Sequence, residues 1–330
     1  MPSVMHAIKI HQVGGPEALT LDTNVPLPQP GPGEVQFQVA ATGVNFIETY
    51  QRTGAYKATM PFIPGSEAAG TVAVVGDGVT TLKVGDRIAT ASATGTYAQY
   101  ATAPANRIIK LPESIDLETA SSVLFQGMTA HYLTHSSYVL KKGQTALIHA
   151  AAGGTGRVLV QVAKLLGATV IGTVSSDAKA QIAKEAGADY TINYTTTPDF
   201  DVEVKKLTGG QGVHVVYDSV GKPTFDKSLK SLRICGHVIL FGQAGGAVPP
   251  IDPHTLMAGS FSITRPMLAH HIIEDEDFKW RSTDVLNWIQ QGKVKIHIAA
   301  KFSLSKAGDA HNAIQSRDNA GKILLLPQVD

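Results

Sequence analysis

The sequence predicts an α/β protein of two domains. One is a β-rich, partly closed barrel, and the other is a doubly wound parallel sheet with helices on both faces. Three observations lead there. Before about residue 120, short alternating segments are broken by Gly and Pro turns. From about Ser121, strand patterns alternate with helix patterns, the mark of a parallel sheet. Where that second region begins, His149–Gly156 reads HAAAGGTG, almost free of side chains, between a strand pattern and a helix pattern.

Taken in order, AIKIHQV, EALTLDTN and EVQFQVAATGV alternate as strands, separated by GGPE and the stiff connector PLPQPGPG. TVAVVG, DRIAT and YAQYATAP continue them. TALIHAA is a short apolar strand, and RVLVQVAKLLG is a helix closed by Gly167. ATVIGTV, DYTIN, GVHVVYDS and HVILFG are further strands. Between them lie the helices DAKAQIAKEAG, DVEVKKLTGG and PTFDKSLKSL. The remainder predicts a helix around STDVLNWIQQG, an extended KIHIAAKFSL, a helix through DAHNAIQSR and a last strand, KILLLP.

Composition narrows the function classes. The chain has 330 residues, enough for two cores, with 43% apolar and 17% charged residues, as in globular proteins. A net charge of +1 disfavours a nucleic-acid surface. No stretch reaches the ~20 apolar residues of a membrane span, so no membrane partner is expected and the simplest location is the cytoplasm. Cys235 is the single cysteine, which excludes an internal disulfide and a multi-cysteine zinc site. It reads as a buried sheet residue, not a nucleophile.

The bare loop explains itself by position. In a βαβ unit, the turn from strand to helix is where a dinucleotide pyrophosphate sits. Gly153 and Gly156 have the spacing of the last two glycines of G-x-G-x-x-G, with Ala151 in the first place. The helix N-terminus adds free N–H groups. At the end of the second strand, where an acid would bind the ribose of NAD, stand Ser175 and Ser176, with Lys179 nearby. Hydroxyls and a cation suit the 2′-phosphate of NADP. Asp177 complicates this, but it falls in the first turn of the next helix, where an acid favours the helix dipole.

The segment GQTALIHAAAGGTGRVLVQVAK resembles the signature of the quinone oxidoreductase, or zeta-crystallin, branch of the medium-chain dehydrogenase/reductase superfamily. GVNFIETYQRTGAY, PGSEAAG, TINY, VVYDSVG, ILFGQ and ITRP agree, and the resemblance spans nearly the whole chain. It implies a GroES-like catalytic domain over 1–125 with 266–330, a Rossmann domain over 126–265, NADPH, a quinone substrate in the cleft between the domains, and a homodimer. The dimer would pair through the strand near HVILFG, which should then be a sheet edge.

The superfamily divides on zinc. PGSEAAG is similar to a zinc-ligand segment, but Ser66 replaces its histidine, and Asn45 stands where a cysteine ligand is expected. His131 with His135, and His270 with His271, have no third ligand and read as packing or surface residues. The resemblance therefore implies hydride or single-electron transfer without metal.

The same resemblance distributes the roles. Gly153, Gly154 and Thr155 face the pyrophosphate. Ser175, Ser176 and Lys179 face the 2′-phosphate, with Tyr194 beside them and Arg317 near the cofactor. Ser219, Phe241 and Gly242 follow later strand ends, and Thr264, Arg265 and Pro266 flank the nicotinamide. Asn45, Phe46, Tyr50, Thr129 and Tyr132 line the pocket from the other side. Tyr50 orients or protonates the acceptor oxygen, unless water does, and Asn45 bonds the same oxygen. Phe46 also reads as core, Arg265 as a surface ion pair, and His131 as a polar pocket residue or one pointing away. Two other functions stay open. One is reduction of activated alkenes (enals, enones or enoyl thioesters), for which Arg52 and Lys57 are available to a CoA group. The other is RNA binding.

Overall fold

The computed structural model describes residues 3–316 and 320–329. Arg317 lies outside the described residues. The chain divides into two compact units, Met1–Phe125 with Ile296–Asp330, and Gln126–Lys295. Residues 266–295 thus join the second unit, where the sequence reading had placed them in the first. The reason is packing within that unit. A helix in this stretch lays Val285 where a side chain on Gly127 would stand, and its Arg281 bonds the His131 ring.

In the first unit the elements are β1 (Val4–Lys9), β2 (Thr20–Pro26), β3 (Glu34–Val44), α1 (Phe46–Arg52), β4 (Ala68–Val75), β5 (Arg87–Thr90), β6 (Tyr100–Pro104) and β7 (Ile109–Lys110). The helix α2 (Leu117–Tyr132) carries the division between units. β1 and β2 form a separate ribbon. β3 is the spine. One of its edges pairs with β4, and the other is shared between β6, at its start, and a late strand, at its end. The partly closed barrel is therefore a branched seven-stranded sheet, in which no pairing closes the circle among the described strands. Val35, Phe37, Val39, Val72 and Ile88 pack one core, as the period-2 alternation requires.

The second unit continues with β8 (Thr145–Ile148), α3 (Gly154–Leu165), β9 (Thr169–Val174), α4 (Asp177–Glu185), β10 (Tyr190–Asn193), α5 (Phe200–Leu207), β11 (Val213–Asp218), α6 (Phe225–Lys230), β12 (Leu232–Leu240), β13 (Ser262–Thr264) and α7 (Asp275–Gln290). The chain then returns to the first unit with β14 (Ile298–Ser303), α8 (Ala307–Gln315) and β15 (Lys322–Leu326). β8 to β13 form one parallel sheet in the order β10-β9-β8-β11-β12-β13. This is the dinucleotide-binding strand order 3-2-1-4-5-6, whose reversal falls between β8 and β11. Leu147, Ile171, Ile192, Val216 and Val238 fill the core, because strands covered on both faces read as continuous apolar runs. Gly167, at φ +77°, ends α3 in the left-handed conformation that glycine adopts without strain.

Two expectations are corrected here. β12, which contains the HVIL of HVILFG, is not the sheet edge. The short β13 pairs with it through His237–Ile239, so the edge passes to β13. Cys235 is exposed, not buried. Pairing with β11 jumps from Leu232 to His237, so the intervening residues bulge out and Cys235 sits at φ +58°. Among the described residues no helix is long and apolar enough to cross a membrane.

Candidate active site

The glycine loop follows β8 and opens α3, with Gly153 as the helix N-cap. Gly153, Gly154 and Thr155 are half-exposed, while Gly156 is buried. The Gly153 N–H is taken by the Ala150 carbonyl at 2.8 Å, which leaves those of Gly154 and Thr155, in the first turn of α3, to face a ligand. A Cβ on Gly156 would run into the Ala150 carbonyl oxygen, which is the close strand–helix approach expected of that glycine. A Cβ on Gly154 would press on the Gln126 amide, so α2 borders the loop. Thr129 lies three residues on, on the same helix face as Gln126. Thr129 and Tyr132 are both buried, and Tyr132 stacks on His271 with ring centroids 4.4 Å apart.

At the carboxyl end of β9 the predicted phosphate residues converge. Ser176 N-caps α4 by accepting from the Lys179 N–H at 3.3 Å. The Lys179 ammonium reaches back to Ser175 Oγ at 3.3 Å. Asp177 is turned aside, accepting from the Asn193 amide at 2.9 Å. Tyr194 follows β10, its N–H bonded to the Val174 carbonyl at 3.0 Å. Ser175, Ser176, Lys179 and Tyr194 are all half-exposed. Further along the carboxyl ends of the same sheet, Ser219 follows β11, and Phe241 and Gly242 follow β12. A Cβ on Gly242 would lie 2.6 Å from the Ser219 carbonyl oxygen. Thr264 ends β13, Pro266 is buried, and the exposed Arg265 donates to the Leu240 carbonyl at 2.9 Å.

In the first unit, α1 is a helix that sequence reading missed. Asn45 and Glu48 are a legible N-terminal signal, since the Glu48 carboxyl accepts from the Asn45 N–H at 2.7 Å. The helix has two faces. Phe46 and Tyr50 are half-buried on one, with Tyr50 in a row between Phe46, at 6.2 Å, and Tyr56, at 5.1 Å. Glu48, Thr49 and Arg52 are buried on the other.

Asn45 belongs to the buried side. Its amide donates to the Glu67 carboxylate at 3.1 Å and to the Gly43 carbonyl at 3.3 Å, and its oxygen accepts from Lys322 at 2.7 Å. Both amide N–H groups are used inside the protein, so Asn45 has none to offer an acceptor oxygen. The Lys322–Glu67 pair, at 2.6 Å with both side chains shut off from solvent, went unnoticed in sequence. Burial pushes the Glu48 carboxyl up to about 8, against the pull of Lys322, and its Oε1 has no hydrogen-bond partner. Arg52 is 1% exposed and donates to His311 and Gln315, so it is no handle for a CoA group.

Comparison with known proteins decides the family. Residues 31–113 match an alcohol dehydrogenase GroES-like domain, and residues 154–285 match a zinc-binding dehydrogenase domain. A quinone oxidoreductase of Pseudomonas aeruginosa is 40% identical, over 97% of this chain and 99% of its own. The structure of the Escherichia coli quinone oxidoreductase complexed with NADPH superposes with a TM-score of 0.94 at 39% identity. It covers 98% of this chain and all of that one. This chain belongs to the quinone oxidoreductase family of the medium-chain dehydrogenase/reductase superfamily. Within the family, a 2-haloacrylate reductase of Burkholderia is 41% identical over 98% of this chain and 99% of its own. The two matched segments include the strand ends of the second unit and, separately, the α1 segment of the first.

Proposed function

We propose that this protein is an NADPH-dependent quinone reductase. The observation that carries the cofactor is the meeting of Ser175, Ser176 and Lys179 at the end of β9, beside an open glycine loop. Two hydroxyls and an ammonium fit a 2′-phosphate, and the N–H groups at the start of α3 fit a pyrophosphate. NADPH, when bound, supplies the hydride. Ser219, Phe241, Gly242, Thr264, Arg265 and Pro266 hold its nicotinamide half along the strand ends. Phe46 and Tyr50 offer aromatic faces to a flat acceptor, with Thr129 and Tyr132 as further substrate-pocket residues. Tyr50 orients the acceptor oxygen, and Asn45 acts one step back by fixing the start of α1.

Zinc has no part in this reading. Ser66 and Asn45 replace the two usual donors, and the Asn45 amide is taken up by Lys322 and Glu67. Treatment with EDTA should leave turnover unchanged, and activity lost to the chelator and restored by zinc would contradict this. The enzyme is proposed to be cytoplasmic and to pair as a homodimer through the exposed edge of β13. The net charge of +1 disfavours a nucleic-acid partner.

The name of the Burkholderia relative favours a second reading, reduction of an activated alkene. The test is anaerobic NADPH oxidation with a simple quinone and 2-chloroacrylate in parallel. Turnover with the quinone supports the proposal. Turnover with the haloacrylate alone replaces it.

A further inference from the structure

His149, the first residue of the bare loop, lies inside the protein with no solvent exposure, and both its ring nitrogens are bonded. Nε2 is 2.9 Å from Ser228 Oγ, and Nδ1 is 2.8 Å from Thr173 Oγ1. The Ser228 hydroxyl donates to Asp218 at 3.0 Å. A hydroxyl has one proton, so Ser228 must accept from His149, and the ring carries its proton on Nε2. Thr173 then donates to Nδ1. Asp218 in turn accepts from the N–H groups of Val220 and Gly221, at 2.8 and 2.9 Å, and from the Thr224 hydroxyl. The ring of Phe200 packs near edge-on against the imidazole. Burial pushes the imidazole pKa down, so the ring is neutral.

Serine, histidine and aspartate together resemble an acyl-transfer triad, but the wiring is wrong for one. The carboxylate bonds the serine instead of orienting the histidine, and all three side chains are closed to solvent. What the ring does is join strand ends. Thr173 stands two residues before Ser175, and Asp218 one before Ser219. His149 itself precedes Ala150, whose φ of +50° turns the chain into the glycine loop. The loop's start is held on both sides, His149 N–H to the Tyr217 carbonyl and Ala151 N–H to the Thr173 carbonyl, each at 3.1 Å.

The geometry points to His149 as a positioning residue that sets three cofactor loops from one buried ring, with separable legs. The Thr173 leg sets the Ser175–Lys179 corner, and with it the preference for a 2′-phosphate. The Ser228–Asp218 leg sets the Ser219 loop, which any nicotinamide dinucleotide meets. This rests on the NADPH reading above.

The test uses Thr173→Val and Ser228→Ala, both close in volume to the parent side chains, with NADPH and NADH titrated on each by fluorescence. Thr173→Val should lose about fivefold of the NADPH-over-NADH preference, the worth of roughly one buried hydrogen bond. Ser228→Ala should weaken both dinucleotides by about the same factor, leaving the preference unchanged. His149→Gln, which keeps one acceptor and one donor, should recover most of what His149→Leu loses. The ¹⁵N shifts of the His149 ring should report the Nε2–H tautomer without any substitution. Wild-type affinities in both variants, equal losses with the preference intact in Thr173→Val, or an Nδ1–H ring would each overturn the proposal. A wild-type protein that binds neither dinucleotide would instead overturn the NADPH reading, and this inference with it.

Discussion

Lys179 and Asn45 show how far a single residue can be read from sequence. Lys179 stands out by type and by its distance from the glycine loop, and its ammonium lies 3.3 Å from Ser175 Oγ. Replacing it with Ala should raise the KM for NADPH by about tenfold and leave that for NADH nearly unchanged, the worth of roughly one charge-assisted hydrogen bond. An equal effect on both would remove the residue from the 2′-phosphate site. Asn45 stands out in sequence at the position expected of a metal ligand, but its partners are not legible there. Lys322 comes from 277 positions away to share it with Glu67. Nothing local in the sequence announces such a pair. Glu48 has the same history. Its spacing to Asn45 is visible, but its burial beside Glu67 and Lys322 is not.

At the scale of elements, strands and helices were legible where period and punctuation agreed. β3 was bounded at Glu34 and Val44, and α3 and α4 ended at their glycines. The helix α1 was missed because its segment was weighed for metal ligands and not for the Asn45-to-Glu48 cap. The helix α7 begins at Asp275, earlier than the STDVLNWIQQG pattern implied. Asp275, Glu276 and Asp277 favour its N-terminus and carry no apolar period to announce it. β13 escaped because three residues are too short for an alternation. Since β13 and not β12 is the edge, Ile263→Pro should weaken the proposed dimer, whereas substitutions of β12 residues that face away from that edge should not. Sedimentation at graded concentration checks this. Gly156→Ala should cost about 2 kcal/mol, because a Cβ there meets backbone and not a yielding side chain. Thermal melts and NADPH titration would show the loss together.

For the whole molecule, buried titratable groups shape stability against pH. Burial, reinforced by Arg52, drives His311 down to about 3. Burial also drives His131 down to about 4, over the opposing pull of its bond to Asp284. Both rings stay neutral in the folded state, while the unfolded chain takes up protons below its ordinary histidine value of 6.5. Stability is therefore lost as pH falls from about 6.5 toward 4. Glu48 acts in the opposite sense. The unfolded carboxyl ionises above 4.5, but the folded one only near 8, so the unfolded state gains as pH rises through that window. With two histidines against one carboxyl, these three groups place the stability maximum near pH 6.5. Glu48→Gln should flatten the decline above it and gain roughly 2 kcal/mol at pH 8. Melting curves from pH 5 to 8 read both, and a variant less stable than wild type at pH 8 would contradict the account of Glu48.

The strand ends of the second unit are the centre of this account, and they make one demand that can be measured without knowing the acceptor. NADPH and NADH are titrated into the wild-type protein at fixed ionic strength, following nicotinamide fluorescence. The account predicts that NADPH binds more tightly by about tenfold or more, because only NADPH offers a 2′-phosphate to Ser175, Ser176 and Lys179. Equal affinity, or tighter binding of NADH, would mean that this corner does not read the phosphate.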